Sequence, residues 1–505
     1  MAVESLTWAK VIDQTRCIGC HACTTACKSE NEVPLGVTRT YVKSVDIGTF
    51  PNARRAFQVT RCNQCADPPC VAACPTGAMH QRPDGIVDFD KSICIGCKAC
   101  MAACPYDAIF INPDDHSAEK CNFCAHRIEV GLEPACVLVC PTQAILVGKL
   151  DDPTSKVAKL VSRQPASVRR PEKDTRPKLF YLGAHQSTLD PLAAQRPTGG
   201  IYAWAGQGPP EARVASGHPR QRNAAASSVV SYDIPHRIPW DWRVSLYTFT
   251  KGVASGVYLV AILMALIGPL SFHSQLVRFV APLTGLGMLA ATGGLLIWDL
   301  EHPERFYMLF TKHQTRSWLV RGGMAISFYG FFLLLALLAG IANSPDLEKL
   351  VAAFAIPGSI ATAVYTAYLF AQAKARDLWQ NPVLPLDLAV ESLLAGSATC
   401  LLVALVEGHK ILAHDLGIAL SISAAALLTL VVGELSLTHA TAHARMAGAE
   451  LTHGRYAPWF WGSIVLLALS IALPWTSQLV AIAALVALLF YGHAYVQAGQ
   501  SVPLA

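Results

Sequence analysis

The sequence predicts a two-part fold, an α+β domain followed by an all-α membrane domain, on two observations. Sixteen of its seventeen cysteines fall in four runs before residue 141, and long apolar stretches begin near residue 244. The whole chain of 505 residues is 52% hydrophobic and 15% charged, with a formal net charge of +5. Boundaries drawn from composition give residues 1–150 as the cysteine-rich domain, 151–240 as a basic, Pro/Gly-rich connector and 241–505 as the membrane domain.

The four runs are Cys17-Cys20-Cys23-Cys27, Cys62-Cys65-Cys70-Cys74, Cys94-Cys97-Cys100-Cys104 and Cys121-Cys124-Cys136-Cys140. The third, CIGCKACMAACP, has the C-x2-C-x2-C-x3-CP spacing of bacterial ferredoxins. The first shares it, with Lys28 in place of the proline. Three close cysteines wrap three iron corners of a cubane, and the distant fourth ligates the other cluster of a pair. Sixteen thiolates thus supply four [4Fe–4S] clusters with none left over. Gly19, Gly96, Ala22 and Ala99 are small enough for backbone amides to approach the sulfurs. Disulfides suit small secreted chains, and zinc suits isolated C-x2-C pairs rather than four consecutive four-cysteine runs. Cys400 reads as a small apolar residue within a membrane helix.

The second and fourth runs depart from simple spacing, and with them the stretches CIGCHACTTAC, CNQCADPPCVAACPTGA, CIGCKACMAACPYDA and CNFCAHRIEVGLEPACVLVCPTQAI resemble the four-cluster iron–sulfur subunits of molybdopterin oxidoreductases for dimethyl sulfoxide, polysulfide and formate. The resemblance covers about residues 8–150. It implies an α+β double-ferredoxin-type iron–sulfur domain in which runs one and four share two clusters and runs two and three share the other two.

A spanning helix needs roughly twenty mostly apolar residues. Eight candidates satisfy this, at about 244–267, 277–298, 319–341, 350–372, 387–406, 412–434, 458–475 and 478–496, the last two joined by a tight turn near Trp475-Thr476-Ser477. Residues 1–16 show no basic start followed by an apolar stretch, so no secretory signal is expected. With eight spans both termini share a side. Loops on that side carry Arg305, Lys312, Arg316, Arg321, Lys374, Arg376, Arg445 and Arg455, against Arg278, Lys349 and Lys410 opposite. The positive-inside rule then puts the cluster domain on the cytoplasmic face of the inner membrane. In the connector, Arg163, Arg169, Arg170, Lys173, Arg176 and Lys178 are expected to be solvated or to meet a partner subunit or anionic lipid headgroups. The aromatic stretches FYLGAHQSTLDPLAA and GGIYAWAG suggest that part of it packs as a strap on the cluster domain.

The stretches IPWDWRVSLYTFTKGVASGVYL and IWDLEHPERFYMLFTKHQTRSWLVRGG resemble the polysulfide-reductase (NrfD-type) membrane anchors. That resemblance implies two four-helix bundles and a quinone, menaquinone or ubiquinone, bound at the membrane face beside the iron–sulfur part. Tyr247 falls where a relative carries a quinone-site histidine. Ionisable groups near membrane depth are costly and are functional or paired. Tyr247, Lys251, Asp299, His302, Arg305 and Arg321 cluster at the ends of the first three spans, beside Glu301, and are the six candidate quinone residues. The alternative for each is interfacial anchoring beside Trp240, Trp242, Trp298 and Trp318. Glu391 in the fifth span is a candidate for a proton path, with Glu407, His409, His414 and Asp415 on the far side. No haem is expected. Most histidines stand at helix ends or in loops, His439 and His443 lie just past the sixth span, and His493 stands alone in the eighth.

The functional expectation is an electron-transfer and anchor subunit, linking a separate molybdopterin catalytic subunit to membrane quinone. It has no terminal-substrate site of its own. A cytoplasm-facing domain favours quinone reduction with a donor such as sulfite or formate. The alternatives are a quinol-oxidising reductase of the dimethyl sulfoxide or polysulfide type, and a module of a larger respiratory ion-translocating complex without molybdenum. Basic charge beside a membrane domain is explained by topology, and no nucleic-acid motif appears.

Overall fold

The structure is a computed structural model that describes residues 7–196, 228–473 and 477–505. The stretch 199–206 and the turn at 475–476 lie outside the described residues. The amino-terminal part holds a four-stranded sheet in the order Ile145–Lys149, Trp8–Asp13, Leu179–Leu182, Ala166–Ser167. Trp8–Asp13 pairs antiparallel with Ile145–Lys149 and parallel with Leu179–Leu182. A second sheet runs Ser228–Tyr232, Thr40–Ile47, Arg54–Arg61, all antiparallel. Two short ladders, Met79–Gln81 with Val87–Phe89 and Ile109–Ile111 with Ala118–Lys120, flank the second and third cysteine runs. Their core contains Cys65, Cys70, Cys74, Cys94, Cys100 and Cys104 alongside Met79, Val87 and Ile109. Alternation of apolar residues is weak in these strands because cluster loops, not a continuous core, lie beneath them.

The stretch 151–240 goes further than a strap. Leu179–Leu182 is an inner strand, and Ser228–Tyr232 adds an edge to the second sheet. Of its basic residues Arg163 and Arg176 are exposed, whereas Arg169, Arg170 and Lys178 are buried rather than solvated. Arg169 is 1% exposed and donates to Leu504 O at 2.9 Å. Lys178 Nζ donates to Gly85 O at 2.6 Å. Arg170 pairs with Glu172 at 3.0 Å, Lys173 with Asp377, and Arg176 with Asp67. Arg169 and Lys173 thus satisfy a carbonyl and a carboxylate across the seam between the two halves, where leaving either partner unpaired is costly.

Seven helices among the described residues are long and apolar enough to cross a membrane: Trp242–Ile267, Leu276–Trp298, Trp318–Ile341, Pro345–Gln372, Leu384–Val406, Lys410–Ser436 and Gln478–Gln500. The stretch expected as a seventh of eight spans is Ala457–Ala472. At 1.5 Å per residue its 16 residues reach only ~24 Å, short of a ~30 Å hydrocarbon core. It becomes an eighth span only together with Ala442–Thr452, from which it bends by 69°. That shorter helix lies in a stretch expected as loop. Thr441 caps it, accepting from Ala444 N at 3.1 Å.

The first span is the centre of the bundle, 78% buried against 28% for the second and third, which present their outer faces to lipid. It meets the fifth span backbone to backbone. A Cβ at Gly256 would collide with Ser392 O, and one at Gly396 with Gly256 O. Small residues at such crossings allow the close packing that holds membrane helices together. Ser255 Oγ donates to Ser392 Oγ at 3.1 Å beside the crossing. Gly256→Val is therefore expected to cost about 3 kcal/mol or more through overpacking, read as loss of detergent-stable folded protein. Gly252→Ala, which meets open space, should leave the yield unchanged.

Candidate functional site

The sixteen cysteines converge into four cages. Cys94, Cys97 and Cys100 line one small cavity with Cys74. Cys17, Cys20 and Cys23 line another with Cys140. Cys62, Cys65, Cys70 and Cys104 are mutual electrostatic neighbours, as are Cys27, Cys121, Cys124 and Cys136. Asn31 Nδ2 bridges the last set, 3.7 Å from Cys27 Sγ and 3.8 Å from Cys124 Sγ. Each cage takes three cysteines from one run and its fourth from another, with runs one and four exchanging and runs two and three exchanging.

The donor set fits cubane clusters. Among the described residues no three His, Cys, Asp or Glu side chains could hold a single metal ion. Cubane thiolates each bind a different iron, so they stand farther apart than ligands of one ion. Backbone amides turn toward the sulfurs: Ala118 N to Cys94 Sγ at 3.4 Å, Met79 N to Cys74 Sγ at 3.3 Å and Ala144 N to Cys140 Sγ at 3.2 Å. Gly19 and Gly96 reach their amides to Cys17 and Cys94 from the left-handed region, each at φ 68°. Burial pushes the Cys65 thiol up to about 12 and Cys23 to about 11. These groups ionise only when iron displaces the proton.

Cys136 differs. Burial raises it, but the Arg61 guanidinium and then Lys10 outweigh burial and hold it down to about 7. Arg61 Nη1 donates to its sulfur at 2.9 Å, and Lys10 Nζ stands 3.9 Å away. Both cations are buried, 1% and 2% exposed.

Neighbouring sulfurs order the cages into a row. Cys100 lies near Cys70, Cys62 near Cys121, and Cys23 near Cys136. The row therefore runs from the Cys74/94/97/100 cage, through the Cys62/65/70/104 and Cys27/121/124/136 cages, to the Cys17/20/23/140 cage. Cys20 is exposed at the far end.

The near end docks on the membrane domain through the loop 299–317. Glu301 N donates to Gly96 O at 3.4 Å and His302 N to Ile95 O at 3.3 Å. Arg305 Nη1 donates to Lys91 O and Cys94 O, both at 3.0 Å. Gln314 Nε2 donates to Val71 O and Cys74 O, both at 2.7 Å, and Ser317 Oγ to Ala73 O at 2.8 Å. From the other side, Trp240 Nε1 donates to Cys97 O at 3.1 Å.

Immediately behind this seam is a cavity of about 260 Å³ with Cys97 and Ile95 in one wall and Tyr247, Asp299, Tyr365 and Ser327 among apolar residues in the rest. Of the six residues expected at a quinone site, Tyr247 and Asp299 line it. The Tyr247 hydroxyl is buried and makes no hydrogen bond of normal length and angle. Lys251 lies one turn deeper, donating to Ala363 O at 2.6 Å and Thr366 Oγ1 at 3.0 Å, 5.3 Å from the Tyr365 ring centre. His302 and Arg305 point instead to the cluster domain, His302 Nε2 meeting Asp115 O at 2.8 Å. Arg321 donates to Thr315 O at 2.8 Å and covers the Trp318 ring at the surface. Glu391 and Lys251 are electrostatic neighbours across the first and fifth spans. Sequence reasoning missed Lys98, whose Nζ stands 3.3 Å from both Asp299 Oδ1 and Glu301 Oε1. It also missed Trp240 as a wall of the cavity. Both sit inside conspicuous motifs, CIGCKAC and IPWDW, where iron ligation and membrane anchoring are the stronger signals.

This is a ferredoxin-type iron–sulfur electron-transfer domain joined to a multi-pass membrane anchor. Residues 54–150 match the 4Fe-4S dicluster domain, residues 8–29 a 4Fe-4S binding domain, and residues 231–503 the family described as polysulphide reductase, NrfD. The protein belongs to the polysulphide reductase NrfD family. Its cluster domain is similar to a tetrathionate reductase subunit of Salmonella typhimurium (strain LT2), 43% identical over 193 residues, covering 37% of this sequence and 76% of the relative. It is similar to a polysulfide reductase chain of Wolinella succinogenes, 42% identical over 178 residues, covering 35% and 93%. The arsenate respiratory reductase iron–sulfur subunit of Shewanella sp. (strain ANA-3) is 36% identical over 220 residues, covering 34% and 94%.

Removing the cation on Cys136 tests the tuning. A charged hydrogen bond is worth roughly 1.5 kcal/mol, and about 1.4 kcal/mol corresponds to ~59 mV for one electron. Arg61→Met is expected to lower the midpoint potential of the Cys27/121/124/136 cluster by on the order of 60 mV, that of the neighbouring Cys17/20/23/140 cluster by less, and to leave the two clusters nearer the membrane within about 20 mV, measured by potentiometric titration followed by electron paramagnetic resonance.

Proposed function

We propose that this chain relays electrons between a membrane quinone and a molybdopterin-containing catalytic subunit, as the electron-transfer and anchor subunit of an oxidoreductase complex. The observation that carries the reading is the shared cavity: the last cage of the row and two candidate quinone residues, Tyr247 and Asp299, face the same space at the membrane boundary. When bound, the clusters supply one-electron carriage, which suits a row of cages joining a two-electron donor to a two-electron acceptor. Cys97 and its neighbours fix the end of that row rigidly. Apolar side chains such as Leu296, Ile297 and Phe310 exclude water from the cavity and match a lipid-soluble ring. Tyr247 offers its hydroxyl as a donor to a carbonyl oxygen, and Asp299 an acid or base. Lys251 and Glu391 extend the polar line inward from Tyr365.

At the far end, Ile18 beside the Cys17/20/23/140 cage and Leu138, two residues before Cys140, are 58% and 69% exposed. Exposed apolar residues around a redox centre suit docking of the catalytic subunit. Inner-membrane location with the cluster domain inward is part of the proposal. The three basic loops lie on the cluster side, which agrees with the positive-inside rule. The relatives are named for reduction of tetrathionate, polysulfide and arsenate. Those names support quinol oxidation as the second reading of direction, beside the quinone reduction that an inward-facing domain suggests.

Filling the cavity is the test. Gly293 lines it, and a Cβ there meets open space. Gly293→Phe is expected to weaken binding of a naphthoquinone analogue by about tenfold or more, with all cluster spectra intact. Unchanged affinity would overturn the assignment of the cavity. Separately, Leu138→Glu is expected to reduce recovery of a large, molybdenum-containing subunit with the tagged protein at least about threefold, a cost of a buried charge, while iron content stays the same.

A further inference from the structure

A second, larger opening of about 770 Å³ separates the cluster domain from the membrane domain. His116, Lys98, Glu301 and Trp240 line it, and Trp240 also lines the quinone cavity. Trp240 is 4% exposed and its one N–H is committed to Cys97 O, so it is a wall and not a relay. The polar connection between the two spaces is the triad Glu301–Lys98–Asp299. Lys98 Nζ stands 3.3 Å from a carboxylate oxygen of each. Glu301 faces the outer cleft, and Asp299 faces the inner cavity. Side-chain exposure falls steadily along the line, 57% at His116, 31% at Glu301, 10% at Lys98 and 7% at Asp299.

We propose that Glu301 and Asp299, bridged by Lys98, form the inlet through which protons pass between the aqueous cleft and the quinone, on the cluster side of the membrane. The proposal rests on the quinone reading of the inner cavity. Quinone reduction takes up two electrons and two protons, and quinol oxidation returns them. In the first direction Asp299 gives its carboxyl proton to a quinone oxygen. It regains one from Glu301, which is recharged from cleft water, while the Lys98 ammonium keeps its protons and holds the two carboxylates together. Two such passes match two electrons leaving the Cys74/94/97/100 cage. The groups facing Asp299 are Lys98 and Cys97 from the third cysteine run and Asp241, Arg243 and Tyr247 from the start of the first span. Arg243 is held by Asp241 at 2.7 Å and by Trp298 O at 2.6 Å, leaving Lys98 as the cation that bridges the two carboxylates. Burial pushes the Asp299 carboxyl up to about 6, against the pull of Lys98, which suits a group that must both hold and release a proton near neutrality.

The experiment uses the purified holoprotein with all clusters present, reduced chemically and mixed with a water-soluble naphthoquinone. Asp299→Asn is expected to slow cluster oxidation at least about tenfold, the low end of acid–base contributions, with analogue affinity within about twofold of the parent. The redox-difference infrared spectrum should lose a protonated-carboxyl band. Glu301→Gln, outside the quinone cavity, should slow the same reaction at least about threefold and leave that band in place. Normal rates and an unchanged infrared spectrum in both variants, with the analogue still bound, would overturn the inlet and spare the quinone site. Failure of the parent holoprotein to bind the analogue would remove both.

Discussion

The fold depends on where the cysteine loops send their backbone polar groups. Each loop turns amides inward to the sulfurs, as at Ala118, Met79 and Ala144. Its carbonyls then face outward and need donors, because a buried carbonyl without one is costly. The membrane domain supplies them. Gln314, Ser317, Arg305, Trp240 and the backbone of Glu301 and His302 together satisfy carbonyls from Val71 to Cys97. Cluster geometry and membrane docking are thus one constraint. A cage loop that misfolds loses its acceptors, and a membrane loop that shifts strands the carbonyls of the cage. Gly96 shows how close the fit is, since a Cβ there would collide with Glu301.

The same seam carries charge. Arg305 lies beside Cys94 and Arg376 within electrostatic range of Cys104, so two arginines of the membrane domain stand next to the two nearest cages. Farther out, Lys120 lies near Cys62 and Cys70, and Arg61 and Lys10 crowd Cys136. Cations near thiolates stabilise the more negative, reduced cluster. The Cys27/121/124/136 cage has two buried cations and Asn31 on its sulfurs and is expected to hold an electron firmly. A dip in the middle of a row does not block transfer when the cages are close and rigidly spaced.

Cysteine spacing made four clusters legible, because iron ligation demands fixed intervals that no competing fold requires, whereas which runs share a cage came from the family resemblance and not from spacing. The spans were legible because lipid demands apolar length. What failed was the reading of polar residues at span ends. His302 and Arg305 sit beside Asp299 in the sequence and share its chemistry, yet they turn away to bind carbonyls of the cluster domain. Linear proximity to a membrane boundary cannot distinguish a ligand from a docking contact. The basic loops carry the same ambiguity. Arg305 and Arg376 count toward a topological bias while serving as hydrogen-bond donors at the seam. Helix Ala442–Thr452 escaped notice because Arg445 and Glu450 break its apolar face, although Thr441 marks its start. The parallel strand Leu179–Leu182 was hidden by its basic neighbours Arg176 and Lys178, which pair with Asp67 and Gly85 of the cluster domain.

The central claim is that the row of clusters ends at a cavity holding quinone, with Cys97 in its wall. Dipolar relaxation between a nitroxide-labelled naphthoquinone and the reduced clusters tests it most directly. The account predicts the strongest enhancement at the cluster held by Cys74, Cys94, Cys97 and Cys100, weakening in order to the one held by Cys17, Cys20, Cys23 and Cys140. Equal enhancement at all four clusters, or the strongest effect at the far one, would contradict it.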